Sequence, residues 1–149
     1  MVTSVTQMGK DTRLEVSDGT ATPNYLPIAG EQKLSRKSTS KEIDTGSKDD
    51  GIYETGSYGQ KTVGISANGI TKLPDAGYSR VYAVQKMAVP NTSFRMVNTL
   101  TNEVMFEAVM SVGNFNDDYD KDQGTTWSFD LKLAQAPVTD IVPTGQAGS

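Results

Sequence analysis

The chain has 149 residues and a mass of 16.0 kDa, a size typical of one domain with a substantial core. Cysteine and histidine are both absent, which excludes disulfides, thiolate nucleophiles, imidazole bases and Cys/His metal sites. A net charge of −4 argues against binding nucleic acid or anionic lipid through a basic face. No segment is apolar enough for a signal peptide or a membrane span, so we expect a soluble protein made inside the cell.

Short strands are predicted near the amino terminus, after an arm without regular period over residues 1–10. Thr12 to Val16 alternates between polar and apolar residues and ends at the turn signal Asp18-Gly19. Tyr25 to Ala29 predicts a second strand, which we place at a sheet edge because Pro27 lacks an N–H donor.

The next two segments are unusually polar. Leu34 to Ile43 predicts a strand that is polar on both faces, so its burial must come from outside the monomer. Asp44 to Gln60 is rich in glycine and carries Ile52, Tyr53 and Tyr58 without a regular period. It is predicted to be a long loop, and loops of this length are usually functional or ordered by a partner.

A regular strand and a helix follow. Lys61 to Ile70 predicts a strand with one apolar face, because every second residue from Val63 to Ala67 is apolar. Asp75 is a suitable N-cap, and helical period then continues until Pro90 stops the helix. The predicted apolar side of this helix comprises Tyr78, Val81, Tyr82, Val84, Ala88 and Val89.

Two further segments, Val104 to Val112 and Trp127 to Leu133, alternate and predict two half-buried strands. If they form an antiparallel hairpin with both apolar sets on one face, only every second register is allowed. We predict the register that sets Glu107 opposite Lys132, an attractive charge pair, and neighbouring registers of the same parity remain open. Residues 136–149 have no period and are predicted to be a flexible tail.

The sequence contains only weak signals for metal binding, phosphate binding or catalysis. The loop from Asn116 to Gly124 resembles a calcium loop in part, but Gln123 and Phe129 stand where glycine and glutamate are required, so we expect a solvated turn. Gly46-Ser47-Lys48 lacks the spacing of a phosphate loop. Trp127 alternates with other core residues and is predicted to be buried, not a platform for sugars. We therefore expect no metal, no cofactor and no catalytic site.

The order of these features, from Gly9 to about Val142, resembles the major tail protein family, which builds the tail tube of long-tailed bacteriophages and gene transfer agents. None of the short sequence segments that carry the resemblance is specific for this family on its own. The resemblance is carried by Gly9-Lys10-Asp11 with its strand, Gly51-Ile52-Tyr53-Glu54, the strand Val63 to Ile70, the helix from Asp75, and Thr125 to Leu131.

The resemblance implies a mainly β fold, a β-sandwich or half-barrel with one flanking α-helix, formed by a single domain over residues 1–149. It implies that six copies form a ring and that rings stack into a hollow tube that conducts DNA. The implied partners are the tape-measure protein, the tail terminator and the distal tail proteins, and the implied location is the virion tail, assembled in the host cytoplasm. Contractile and non-contractile tails fit equally well, as do phages and gene transfer agents. The alternative is a carbohydrate-binding or adhesin-type β-sandwich.

Two sets of residues follow from the resemblance. The channel is expected to be neutral or acidic, because Lys and Arg would retain DNA phosphates. Its wall is assigned to the polar strand faces, which carry Thr62, Ser66, Asn68, Glu103, Glu107, Ser111, Ser128, Asp130 and Lys132. With Glu107 and Lys132 paired, Glu103 and Asp130 are expected to leave this wall negative. The long loop is expected to contact the neighbouring ring through Lys48, Asp49, Asp50, Ile52, Tyr53 and Tyr58.

Overall fold

The computed structural model of the chain describes residues 8–46 and 51–143. In this part of the chain a 3-10 helix, Gly9–Asp11, is followed by eight strands and one α-helix. In chain order these are Thr12–Ser17 (β1), Tyr25–Pro27 (β2), Glu31–Asp44 (β3), Gly56–Ile70 (β4), Ala76–Gln85 (α1), Asn91–Asn98 (β5), Glu103–Asp118 (β6), Thr126–Leu133 (β7) and Thr139–Asp140 (β8).

The eight described strands form one antiparallel sheet in the order β2-β1-β5-β6-β7-β4-β3, and β8 pairs with β6. The sheet is curled, and contact between strands near its opposite edges shows this. The backbone N–H of Leu14 in β1 donates to Glu31 Oε2 in β3 at 3.2 Å. The expected mainly β fold with one flanking helix is confirmed, in its half-barrel form.

The core lies inside the curl, where the alternating strands predicted it. Val63, Ile65 and Ala67 are buried on β4, as are Trp127 and Phe129 on β7, each at most 6% exposed. The prediction that Trp127 is a core residue is confirmed. Burial of both aromatic rings also removes the exposed sheet platform that a carbohydrate-binding sandwich would need.

Helix α1 begins as the sequence predicts. Asp75 is its N-cap, and Asp75 Oδ2 accepts hydrogen bonds at 3.0 Å from the backbone N–H groups of Tyr78 and Ala29. Gly77 lies against the backbone of Pro27, where a larger side chain would collide with the carbonyl group. The cap therefore fixes the helix both to its own first turn and to the segment that leaves β2.

The helix ends earlier than predicted. It stops at Gln85, and Val81 and Val84 are buried whereas Val89 is 67% exposed. The assignment of Ala88 and Val89 to the apolar helix face was wrong, because the chain leaves the helix to enter β5 at Asn91.

The strand pairing of β6 and β7 has the predicted parity from Met110 to Gly113, but in another register, and the parity changes beyond the irregularity that follows Gly113. Ser111, not Glu107, lies opposite Lys132, so the predicted charge pair is wrong. The offset arises because β6 continues to Asp118 through an irregularity between Gly113 and Asn116. A longer strand leaves a shorter turn, which shifts the pairing toward the end of β6.

The predicted long loop is largely a hairpin. Asp44 belongs to β3 and pairs with Gly56, and residues 56–60 belong to β4. The polar strand predicted over Leu34 to Ile43 is confirmed, and it forms an edge of the described sheet. The loop prediction was wrong in extent because a strand that buries neither face has no apolar alternation to reveal it.

The ends of the described chain are partly ordered by hydrogen bonds. β8 lies within the segment predicted to be a flexible tail, and the N–H of Val138 donates to the carbonyl of Glu107 at 2.8 Å. The 3-10 helix Gly9–Asp11 includes two residues of the predicted arm. Over residues 8–46 and 51–143, no helix has the length and apolarity needed to cross a bilayer.

Candidate assembly surfaces and channel face

The residues assigned to a channel wall on β4 and β7 lie on the sheet face opposite the core. Strand pairing sets Ser66 opposite Asp130 and Asn68 opposite Ser128. Ser66 Oγ donates to Asp130 Oδ1 at 2.8 Å. Thr62 follows the same alternation on β4, in the part of the strand that projects beyond β7.

Asp130 has a further partner that sequence reasoning missed. Asn114 Nδ2 donates to Asp130 Oδ2 at 2.9 Å. Asn114 adopts a φ of 52° at the irregularity in β6, a left-handed conformation that asparagine tolerates better than most residues. The asparagine in a strand flanked by Gly113 was the available signal for this kink.

Glu107 belongs to a different group from Lys132. Strand pairing sets Glu107 opposite Arg95, and Arg95 Nε donates to Glu15 Oε1 at 3.0 Å. The Arg95 guanidinium lies 4.0 Å from the centre of the Tyr25 ring. Burial, and then the hydrogen bond with Glu107, raise the pKa of Tyr25. This group ties β2, β1, β5 and β6 together across the face.

The charge of this face is mixed, contrary to the expected negative wall. Lys33 and Lys37 of β3 lie opposite Asn68 and Gly64, so both share the face with Asp130. Lys132 lies on the same face, opposite Gly64 and Ser111. Glu103 stands apart, at the start of β6 beyond a register shift in the pairing with β5, and accepts a hydrogen bond from Thr101.

The hairpin of β3 and β4 exposes large apolar side chains near its turn. Ile52 is 93% exposed, Tyr53 75% and Tyr58 71%. The other three residues assigned to this contact, Lys48, Asp49 and Asp50, lie outside the described residues, as do Ser47 and Lys48 of the Gly-Ser-Lys string. The described part of the hairpin therefore offers an apolar surface that the other described residues leave exposed.

A groove of about 350 Å³ lies beside the start of α1. Its walls include Leu73, Tyr78, Tyr82 and Tyr119. Tyr78 Oη donates to Asp117 Oδ1 at 2.6 Å, and burial together with this bond raises the pKa of Tyr78. The Tyr78 ring is thereby held in place as part of the groove wall.

The acidic segment Asn116 to Gly124 is part strand and part turn. Asp117 and Asp118 belong to β6, and the Asp117 carboxylate accepts the hydrogen bond from the Tyr78 hydroxyl group. In the described parts of the chain, no three acidic side chains converge as a metal site would require.

Glu31 is a half-buried carboxyl group at the start of β3. Burial raises its pKa from 4.5 to about 7, against the opposing effects of the Leu14 N–H and the Arg13 charge. It lines a cavity of about 750 Å³ together with Lys10 and Lys33. The carboxyl group connects β3 to β1 across the open side of the curl.

The fold is similar to that of proteins in solved structures of a particle tail, a virion and a tail tube. The chain is similar to a protein of the tail of an empty gene transfer agent particle, refined with C6 symmetry, at 17% identity and a TM-score of 0.74, covering 90% of this chain and 98% of that chain. It is similar to a protein of a native gene transfer agent virion at 14% identity and a TM-score of 0.71, covering 93% and 100% of the two chains. The SPP1 tail tube protein matches at 16% identity and a TM-score of 0.73, covering 91% and 80%.

The half-barrel with its long polar hairpin is thus the fold of a tail tube subunit. The family described as phage tail tube protein matches residues 6–139, nearly the whole chain. The chain belongs to this family and is a structural subunit of a virion tail tube. No curated protein matches it in sequence.

Proposed function

We propose that six copies of this chain close into a ring, and that the rings stack into a hollow tube through which double-stranded DNA passes. Family membership supports a tube subunit, and the similar gene transfer agent tail has C6 symmetry. The tube is assembled in the host cytoplasm and its role is structural, not catalytic. Its further partners are the tape-measure protein, the tail terminator and the distal tail proteins.

The observation that carries this proposal is the open edge of β3. This strand has 14 residues, pairs with β4 on one side, and is polar and exposed over most of its length. Residues 56–63 of β4 also lie beyond the segment that pairs with β7. Such long unpaired edges template pairing with another chain, and closure of a ring removes them.

The sheet face opposite the core is the proposed channel wall. Helix α1 packs against the other side of the sheet, with Val81 and Val84 fully buried there. The face around Asp130 is left for water, and its hydroxyl, amide and mixed charged groups suit a surface along which DNA slides. A uniformly basic wall would bind phosphates and release counterions, which would hold DNA in place.

Negative-stain microscopy of the purified full chain at high concentration tests assembly directly. We expect sixfold rings and hollow tubes. The proposal is contradicted if the protein stays monomeric by light scattering, even with the tail initiation complex and the tape-measure protein supplied.

A further inference from the structure

Three tyrosine rings line the groove beside α1, which we call the tyrosine groove. Its wall comprises Thr71, Leu73, Tyr78, Ser79, Tyr82, Tyr119 and Thr125. These side chains are uncharged at neutral pH, since burial raises the pKa of Tyr78 and the Asp117 charge raises the pKa of Tyr119. Tyr82 is 38% exposed and Tyr119 76% exposed, so ring surface is open to a ligand.

The rings are held in place by their neighbours. The centres of the Tyr78 and Tyr82 rings lie 6.5 Å apart, with 28° between the ring planes. Phe115 packs against both, with its ring centre 6.0 Å from that of Tyr78 and 5.7 Å from that of Tyr82. Phe115 in turn stacks on the core residue Phe129. A wall that is ordered in advance loses little conformational entropy when a ligand binds.

Negative charges surround the groove. The Asp117 carboxylate accepts a hydrogen bond from the groove wall at 2.6 Å. Tyr119 also borders a second cavity, whose wall includes Asp118 and Asp120 with Lys121 as its one cation among the described residues. The face of an aromatic ring carries negative potential, so rings and carboxylates together attract a cation and repel an anion.

One ring of the groove already contacts a cation. Lys86 Nζ lies 4.5 Å from the centre of the Tyr82 ring, within the distance of about 6 Å over which a ring face attracts a cation. Lys86 is not part of the groove wall, so the space of about 350 Å³ between the tyrosines stays open. The rings are therefore suited to cations, and the groove has room for one from outside.

We propose that the tyrosine groove binds a quaternary ammonium group, of which the trimethylammonium group of choline is the simplest example. Such a group has no N–H to donate, so ring faces and apolar contacts suit it better than hydrogen-bond acceptors do. Leu73, which is 71% exposed, supplies apolar contact for the methyl groups. The acidic turn between β6 and β7 raises the local concentration of cations at the groove. The site goes beyond the proposed tube and does not depend on it.

Saturation-transfer difference NMR tests this proposal, with choline as the probe and the full chain as the target. The method detects ligands on single copies, rings and tubes alike, so failure of the proposed tube leaves the test intact. We expect saturable transfer to the trimethylammonium protons. The control is the neutral alcohol with a tert-butyl group in place of trimethylammonium, which should bind about tenfold more weakly because it has the shape without the charge.

Two results of these titrations would overturn the proposal. Equal affinity for choline and the neutral alcohol would show that apolar shape alone accounts for binding. Absence of saturable transfer at choline concentrations up to about 50 mM would show that the groove does not bind this class of ligand.

Substitutions of tyrosines locate the binding site. Tyr82→Ala removes a ring face and should weaken choline binding about tenfold, whereas Tyr82→Phe keeps the face and should bind within about twofold of the original. Tyr119→Ala removes an exposed ring, so it provides the same test in a chain whose core is untouched. The control is Tyr53→Ala, which removes a ring that is 75% exposed outside the groove and should leave binding unchanged. Equal affinity in the groove variants and the control would overturn the assignment.

Discussion

At the scale of single residues, Glu31 gives the fold a dependence on pH. Its pKa is about 7 in the folded chain and 4.5 when unfolded, so between these values the folded state holds a proton that the unfolded state releases. The stabilising contribution of the neutral carboxyl group is therefore complete below pH 4.5 and is lost as the pH rises through about 7.

Glu31→Gln removes the charge and keeps an acceptor for the Leu14 N–H. Above pH 7 we expect the variant to be more stable than the unmodified chain by about 2 kcal/mol, less than the full linkage value because the carboxyl group is partly exposed, and below pH 4.5 the two should be equal. Denaturant melts at the two pH values measure this difference. The exposed residue Glu54 provides the control, Glu54→Gln, for which we expect no such difference. A constant gap at both pH values would contradict the role of the Glu31 proton.

Trp127 is the largest fully buried side chain of the core. Its ring stacks on Phe129 at 5.4 Å, and its Nε1 donates to the carbonyl of Ile70 at 3.2 Å. Trp127→Ala is expected to lower the free energy of unfolding by about 3 to 5 kcal/mol, because it leaves a cavity and an unpaired carbonyl. The exposed Tyr119 serves for comparison, and Tyr119→Ala should cost less than about 0.5 kcal/mol in the same denaturant melts.

At the scale of elements, the sequence predicts strands well where one face is buried. Alternation was sufficient to predict β4 from Val63 to Ala67 and β7 from Trp127. Water on one side of the sheet and the core on the other impose a period of two residues on such strands. The distal half of the β3–β4 hairpin has water on both sides in a single copy, so it carries no such period. Its strand character depends on pairing and, in our proposal, on other copies.

The register of β6 and β7 was predicted only to its parity, for a related reason. Hydrophobic alternation decides which face a residue occupies, whereas the position along the strand depends on where the turn lies, and β6 continues to Asp118 while β7 begins only at Thr126. The kink at Asn114, whose φ is 52°, shifts the pairing by one further residue. The polar residues of β4 and β7 thus share one sheet face, as their alternation predicted, but Glu107 was assigned the wrong partner.

Asn114 can be tested by two substitutions. Asn114→Ala should destabilise the fold by about 1 to 2 kcal/mol, because alanine is strained at positive φ and cannot donate to Asp130. Asn114→Gly relieves the strain and loses only the exposed hydrogen bond, so its unfolding free energy should stay within about 0.5 kcal/mol of the original. Equal loss in both variants, measured by chemical denaturation, would show that the side-chain bond and not the backbone conformation matters.

At the scale of the whole molecule, assembly multiplies each surface charge. A residue on the proposed channel wall recurs six times in every ring, so a small change in one chain becomes a change in the field along the entire channel. Asp130 is well placed for this test, because it is exposed and shares its face with Lys37 and Lys132. The negative charge of Asp130 therefore offsets part of the positive charge of the two lysines.

Asp130→Lys makes this part of the face wholly basic, with an added change of two charges in each copy. The hydrogen bonds that it removes, from Ser66 and Asn114, are exposed, so we expect the chain to fold and rings to form. DNA ejection from particles built with the variant should slow severalfold, most strongly at low salt, because phosphate binding to the wall is screened as ionic strength rises. Asp122→Lys, at the exposed turn between β6 and β7, changes the net charge equally and should eject DNA normally. If both variants eject at the same rate at low ionic strength, the face around Asp130 does not line the channel, and the wall must be sought on the edge of the hairpin.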